Sequence, residues 1–182
     1  MSARMAMLVN ALGLYAVALV LLLGFVFQLA WHELPCPLCL LQRIAFLALA
    51  VGPILNIRYG PRPSHYAMSV LAALVGVAVS IRQVLLHILP HDPGYGSAIA
   101  GLHYYSWAAL FFALAILLVA LVLLFDRQFE PAPVPQPPLF AVAAVVLVII
   151  VAAGNAASTL LECGFTWCPE DPTRYLLLLG GG

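Results

Sequence analysis

The sequence predicts an all-α integral membrane helix bundle, a single domain over residues 1–182. Two observations carry this. Of 182 residues, 65% are hydrophobic and only 8% charged, against roughly 25% charged in an average soluble domain, and the mean hydropathy is +1.09. The apolar residues also gather into five runs that approach the ~20 residues a bilayer core requires, separated by stretches rich in proline, glycine and charge. Lysine is absent and seven basic residues, all arginine, balance seven acids. Such a chain has no basic field for nucleic acid and no acidic tail, so nucleic-acid binding is disfavoured.

The first run, Leu8 to Ala30, is too long for a signal-peptide core and has no small-x-small cleavage site before the cysteines, so it is expected to be a retained span. The second and third runs, Leu40 to Ile57 and Ala67 to Leu89, flank a connection from Arg58 to Ser64. Gly60, Pro61 and Pro63 make that connection a tight turn that cannot continue a helix, which sets spans two and three as antiparallel neighbours. Span four is expected over Trp107 to Phe125 and span five over Leu139 to Leu161. Between them Glu130 to Pro138 reads Glu-Pro-Ala-Pro-Val-Pro-Gln-Pro-Pro, an extended polyproline linker. A four-span arrangement would strand Val145 to Ile150 in water.

Orientation follows from the arginines. Arg4, Arg58, Arg62 and Arg127 all fall on one side of a five-span chain, and the positive-inside rule makes that side cytoplasmic. The N-terminus is then cytoplasmic, and Cys36, Cys39, Cys163 and Cys168 all face outward. The outward side of a bacterial-type inner membrane is oxidising, so cysteines there are expected to pair. Four cysteines allow three pairings. The lower closure entropy of short loops favours Cys36 with Cys39 and Cys163 with Cys168.

Cys36-Pro37-Leu38-Cys39 is followed by Arg43, four residues after the second cysteine. If a helix starts near Cys39, that spacing stacks the guanidinium on the face of the sulfur, where a fixed positive charge favours a thiolate or a reduced oxyanion. Helix N-terminal amides push the same way. Pro37 suits a first helical turn, having no N–H to leave unpaired. The pattern reads as a redox site.

With these residues the chain resembles the DsbB family of membrane disulfide-forming oxidoreductases. Cys36-Pro-Leu-Cys39-Leu-Leu-Gln-Arg43 looks like the family's first redox motif, Arg82-Gln83-Val-Leu-Leu-His87-Ile-Leu-Pro90 like the end of its third helix, and Trp107 fits the start of its fourth. The resemblance spans the first four helices and implies a four-helix core plus an additional fifth transmembrane helix. It further implies a quinone (ubiquinone or menaquinone) as electron acceptor, a periplasmic DsbA-like thioredoxin-fold protein as partner, and the inner membrane as location. On that reading Cys36, Cys39, Cys163 and Cys168 are the catalytic cysteines, and Arg43, Arg82 and His87 form the quinone site. The family places its second cysteine pair between helices three and four, but Pro90 to Ser106 contains none. Here the fifth span delivers Cys163-Gly-Phe-Thr-Trp-Cys168 to the same side. By chain order within the family, Cys163 receives the partner and Cys168 passes electrons onward; by exposure alone the opposite holds, because Cys163 lies closer to the membrane, and the expectation follows chain order.

Each residue also has a plainer reading. The tail cysteines could be a staple, a common device in small extracytoplasmic loops, and four cysteines are also a zinc-ligand set. Arg82 could simply snorkel to the headgroups. Histidines near neutral pKa can supply protons; His87 is the best placed, while His32, His91 and His103 are more ordinary interfacial or loop residues. Trp31, Tyr104, Tyr105 and Trp107 read as an interfacial aromatic belt that could also flank a quinone ring. Two competing functions stand beside the oxidase. One is a vitamin K epoxide reductase-like enzyme, whose active pair is expected late in the chain and inside a helix. The other is a non-catalytic membrane subunit with structural disulfides, which leaves the Cys39 to Arg43 spacing unexplained.

Overall fold

The computed structural model describes residues 1–130, 133 and 136–178. Among them are five helices long and apolar enough to cross a membrane: α1 (Ala3–Ala30), α2 (Pro37–Tyr59), α3 (Pro63–Leu86), α4 (Tyr104–Leu123) and α5 (Leu139–Cys163). The all-α membrane bundle is thus observed. Residues 131, 132, 134 and 135 of the expected polyproline stretch Glu130 to Pro138 lie outside the described residues. A 3-10 turn, Asp126–Phe129, follows α4.

The first four helices start before their apolar runs because caps, not hydropathy, decide where they begin, while α3 and α4 stop short of their expected ends, α4 at Leu123 instead of the expected Phe125. Ser2 caps α1 through its side chain, which accepts from the Met5 amide at 3.3 Å. Pro37 and Pro63 occupy the first turns of α2 and α3, so the Arg58–Ser64 connection shrinks to Gly60–Arg62. Gly60 closes α2 at φ 86°, a conformation that favours glycine. At its far end α3 stops at Leu86, three residues before the expected Leu89, with His87 as its cap. The loop to α4 carries a two-residue hairpin, Ala98–Ile99 (β1) paired with Leu102–His103 (β2), turned by Ala100 and Gly101 at positive φ.

Pro53 sits inside α2, where it cannot donate to the carbonyl of Leu49. The hydroxyl of Ser69 on α3 supplies the missing donor to Leu49 O at 3.0 Å. Gly52 lets α3 approach this closely: a Cβ there would collide with Ser69 and the His65 carbonyl. The α2–α3 contact is therefore built around a proline, a glycine and a serine, small groups of the kind that join helices in lipid.

Helices α2 and α3 pack on each other, α3 on α4, and α1 on both α2 and α5. Along α5 the residues Ala141, Ala144, Val148, Val151 and Asn155 are buried at alternating spacings of three and four, the seam expected of coiled-coil-like packing. Tyr15 at the middle of α1 donates to Phe140 O at 2.9 Å, Phe25 lies against Gly154, and Gln28 donates to Ser158 at 2.9 Å. Both helices climb together through these contacts, so α5 runs parallel to α1 and releases the tail at the end of the bundle where α2 begins. The opposite end is held by a buried polar cluster. Asn10 donates to Tyr66 at 3.0 Å, Tyr66 to Gln128 at 3.0 Å and Asn56 to Asn10 at 2.9 Å.

Candidate functional site

Cys36 caps α2 and forms a disulfide with Cys39, one turn on; Cys163, the last residue of α5, forms a second with Cys168. Both pairings match those favoured by proximity. Beneath the first disulfide stands Gln83 of α3, only 1% exposed. Its Nε2 donates to Cys36 Sγ at 3.2 Å and reaches Cys39 Sγ at 3.6 Å, while its Oε1 accepts from Gln42 Nε2 at 2.9 Å. The two glutamines orient each other, so an amide N–H is held against the sulfurs in a region of low dielectric, where such a donor matters most.

Arg43 projects from α2 towards α1 and α5. Its guanidinium donates to Gln28 Oε1 at 2.9 Å, to the carbonyl of Gly24 at 3.2 Å and more weakly to Asn155 Oδ1 at 3.4 Å, and it lies 5.5 Å from the centre of the Phe25 ring. All three acceptors are neutral. Glu162, fully buried near the end of α5, is within electrostatic range of Arg43. Gln28 also donates to the hydroxyl of Tyr175 at 2.9 Å, which ties the tail into the same network.

Between α1 and α4 lies a cavity of about 360 Å3, with Cys39, Gln42 and Arg43 on its α2 side and Phe46, Trp107 and Phe111 among its apolar walls. Its outer rim is closed by a stack in which Phe27 lies 4.8 Å from Trp31 and 5.2 Å from Tyr104 between ring centroids. Glu33 clamps the α3–α4 loop over this rim, accepting from the amide and hydroxyl of Ser97 and, at 2.9 Å, from Tyr104. Partial burial raises the proton affinity of Glu33, but these donors outweigh it and hold the carboxyl below its ordinary range. Tyr95, another cavity residue, donates to Leu34 O at 2.6 Å. Burial and the neighbouring Asp171, Glu162 and Glu33 push its phenol up to about 12.

Thus Cys36, Cys39 and Arg43 are brought together, with Cys39 and Arg43 lining one cavity. Arg82 is exposed on α3 and is not part of the cavity wall. His87 also stands outside it: its ring contacts Asp92 Oδ1 at 3.0 Å and stacks 5.6 Å from Tyr105, which in turn stacks on His103. The Gly94 amide and then His87 lower the proton affinity of Asp92. Of the aromatic belt, Tyr104 and Trp107 face the cavity. Cys163 is 4% exposed, whereas Cys168 is partly exposed and the intervening Phe165 and Trp167 project into the surroundings. Among the described residues no cluster of three His, Cys, Asp or Glu side chains is placed to hold a metal. Sequence reasoning left out Gln28 and Asn155 and gave Gln42, Gln83 and Glu162 no role. The available signal was a polar side chain interrupting an apolar span.

The sequence matches the family described as Disulfide bond formation protein DsbB over residues 4–98, slightly more than half of the chain. It belongs to the DsbB family. Among relatives, Disulfide bond formation protein B of Xanthomonas axonopodis pv. citri is 41% identical over 86 residues, 44% of this chain and 50% of that protein. Disulfide bond formation protein B 2 of Burkholderia lata is 39% identical over 64 residues, 35% of this chain and 38% of that protein. The chain spans about half the length of the first of these relatives. No solved structure matches. The DsbB match includes α1, α2, α3 and the Cys36-x-x-Cys39 motif and stops before α4, short of the four spans the motifs suggested. Helix α5 and the tail cysteines lie beyond it.

Proposed function

We propose that this chain is a quinone-coupled thiol oxidase that reoxidises a periplasmic DsbA-like protein of thioredoxin fold. The observation that carries the reading is the shared cavity, in which Cys39 and Arg43 line one mostly apolar space. A volume of about 360 Å3 lies within the range of small-molecule pockets, and flat aromatic walls with a few convergent polar groups suit a quinone head. Arg43, Gln42, Phe46 and Trp107 are the residues that would hold it. A quinone bound there supplies the two-electron, two-proton acceptor that a strongly oxidising partner of about −120 mV requires for its regeneration.

The chain's own residues do the rest. A partner thiolate attacks the Cys163–Cys168 disulfide, forming a mixed disulfide and releasing the other tail sulfur as a thiolate. That thiolate attacks Cys36, and Cys39 leaves as a thiolate; the partner's second thiol then displaces the partner-bound tail sulfur, which attacks the tail–Cys36 disulfide, restores Cys163–Cys168 and leaves Cys36 and Cys39 reduced. Arg43 and the α2 N-terminal amides stabilise the anion at Cys39, and the Gln83 amide donates to the sulfurs. His87 and Arg82 belong to the outer surface on this reading, where Arg82 snorkels and the His87–Asp92 pair caps α3. The arginines Arg4, Arg58, Arg62 and Arg127 at the opposite end favour a cytoplasmic N-terminus in the inner membrane, with all four cysteines periplasmic. The parallel run of α1 and α5 supports a shared end for both disulfides.

A second reading applies to the tail alone. The amides of Leu176 and Leu177 bond to the carbonyls of Glu162 and Leu161, so Cys163–Cys168 sits in a folded segment that a static staple would also explain. One experiment tests the main reading: the absorption spectrum of purified, lipid-reconstituted protein with added quinone, before and after a reduced thioredoxin-like donor. Conversion of quinone to quinol that depends on Cys36 and Cys39 is expected. No conversion would overturn the reading.

A further inference from the structure

Glu162 is 0% exposed, and neither of its carboxyl oxygens has a hydrogen-bond partner among the described residues. Among the described residues the other buried side-chain atom in that position is the hydroxyl of Ser80. A carboxyl group without a donor is costly to keep as an anion in a membrane protein. The compensating charge within range is Arg43, which is fixed by Gln28, Gly24 and Asn155 and forms no salt bridge with Glu162. Other groups bear on the carboxyl too: Tyr95 from the α3–α4 loop lies within electrostatic range of Glu162, Asp171 and Glu33, and Tyr175 of the tail lies within range of Arg43. The tail roofs Glu162 through its own backbone carbonyl, which accepts from Leu176 at 3.1 Å. The carboxyl is therefore shielded from bulk water yet coupled to Arg43, which lines the same cavity as Cys39.

Resting on the oxidase reading, we propose that Glu162 is the proton carrier of the Arg43 site. Of the two protons that the reducing dithiol gives up, one stays on Cys36 as its thiol and the other is taken up by the Glu162 carboxylate as the Cys39 thiolate forms; Glu162 releases its proton into the cavity when Cys36 and Cys39 return to the disulfide. The reason is charge balance. One guanidinium cannot offset two buried anions, so a thiolate arriving beside Arg43 forces the other anion to protonate. The stoichiometry closes. Oxidising two thiols to a disulfide releases two electrons and two protons, the quinone acceptor takes two of each to become the quinol, and Glu162 ends each turnover as it began.

The test is infrared difference spectroscopy on protein carrying 13C-labelled glutamate, with no quinone present, between the oxidised state and the state reduced by a small dithiol. It is performed on the wild type and on a Cys163→Ser/Cys168→Ser background, where only the first disulfide can respond. A labelled protonated-carboxyl band that grows on reduction and vanishes in Glu162→Gln is expected, with Glu162→Asp retaining a shifted band. In turnover assays Glu162→Gln should lose about 10²-fold or more in kcat, the scale of positioned proton transfer, with an altered pH profile and little change in quinone KM. No redox-dependent band in the wild type, or a Glu162→Gln variant with the wild-type pH profile, would overturn the proposal. Because the spectra need no quinone, a protein that shows the band but never reduces quinone would contradict the oxidase reading instead.

Discussion

Gln83 is the residue on which two roles meet, since its amide both donates to the sulfurs and accepts from Gln42. Gln83→Leu leaves the Gln42 amide buried without a partner, a cost of about 1–3 kcal/mol. It also removes a donor that favours thiolate, so the Cys36–Cys39 pair should become harder to reduce in equilibrium with glutathione. Pairing it with Gln42→Leu should return most of the stability, read by thermal unfolding, and none of the redox shift. Arg43→Ala is expected to lower quinone reduction by roughly 10²–10³-fold, the scale of losing one preorganised donor, and Arg43→Lys to recover part of it because an ammonium cannot reproduce the planar fork. Glu33 gives a pH signature. Its folded-state proton affinity is depressed, so the clamp on Ser97 and Tyr104 contributes stability above the unfolded value of about 4.3 and loses it as pH falls through the lower folded value. Amide protection over residues 94–103, taken relative to the intrinsic exchange rate at each pH, should therefore stay high at neutral pH and fall in acid, and Glu33→Gln should abolish that step. Arg43 was legible because its spacing from Cys39 has a chemical meaning within one helix. Gln28, Asn155 and Glu162 were not, because their meaning depends on which helices touch.

Among the elements, the helices were legible as apolar runs, but their ends were not. Ser2, Pro37 and Pro63 start helices through hydrogen bonding and fixed φ, neither of which hydropathy registers. Pro53 within α2 shows how a local defect is resolved by a neighbour, since Ser69 donates to the carbonyl the proline leaves free. The close approach this requires depends on Gly52. Gly52→Ala should drive α2 and α3 apart and destabilise the bundle by about 1–3 kcal/mol, the usual range for overpacking. Ser69→Ala is expected to cost less, because it removes one hydrogen bond without steric conflict. Unfolding in detergent at graded denaturant would rank the two, and equal stability of Gly52→Ala and wild type would contradict the packing described for this helix pair.

At the scale of the whole molecule, the parallel course of α1 and α5 decides where the second disulfide emerges, and the sequence could suggest this only through the positions of its arginines. Burial of the two tail sulfurs then favours the exposure-based order over chain order. Cys163 ends α5 and is 4% exposed, while Cys168 is partly exposed beside the projecting Trp167. Attack on a disulfide requires access to one sulfur along the bond, so a soluble partner should reach Cys168 and expel Cys163, the reverse of the order the family resemblance implied. Cys163 is then the sulfur that moves on to Cys36, from a position at the end of the helix that packs against α1. A mixed disulfide persists when its resolving thiol is missing. Cys163→Ser should therefore accumulate a covalent complex through Cys168 on non-reducing gels, and Cys168→Ser should accumulate little. Trapping through Cys163 alone would restore the chain-order assignment and require the tail to unfold before exchange. Full oxidase activity in the double variant, with no complex in either single one, would make the tail disulfide a staple and leave Cys36 and Cys39 as the site the partner attacks directly.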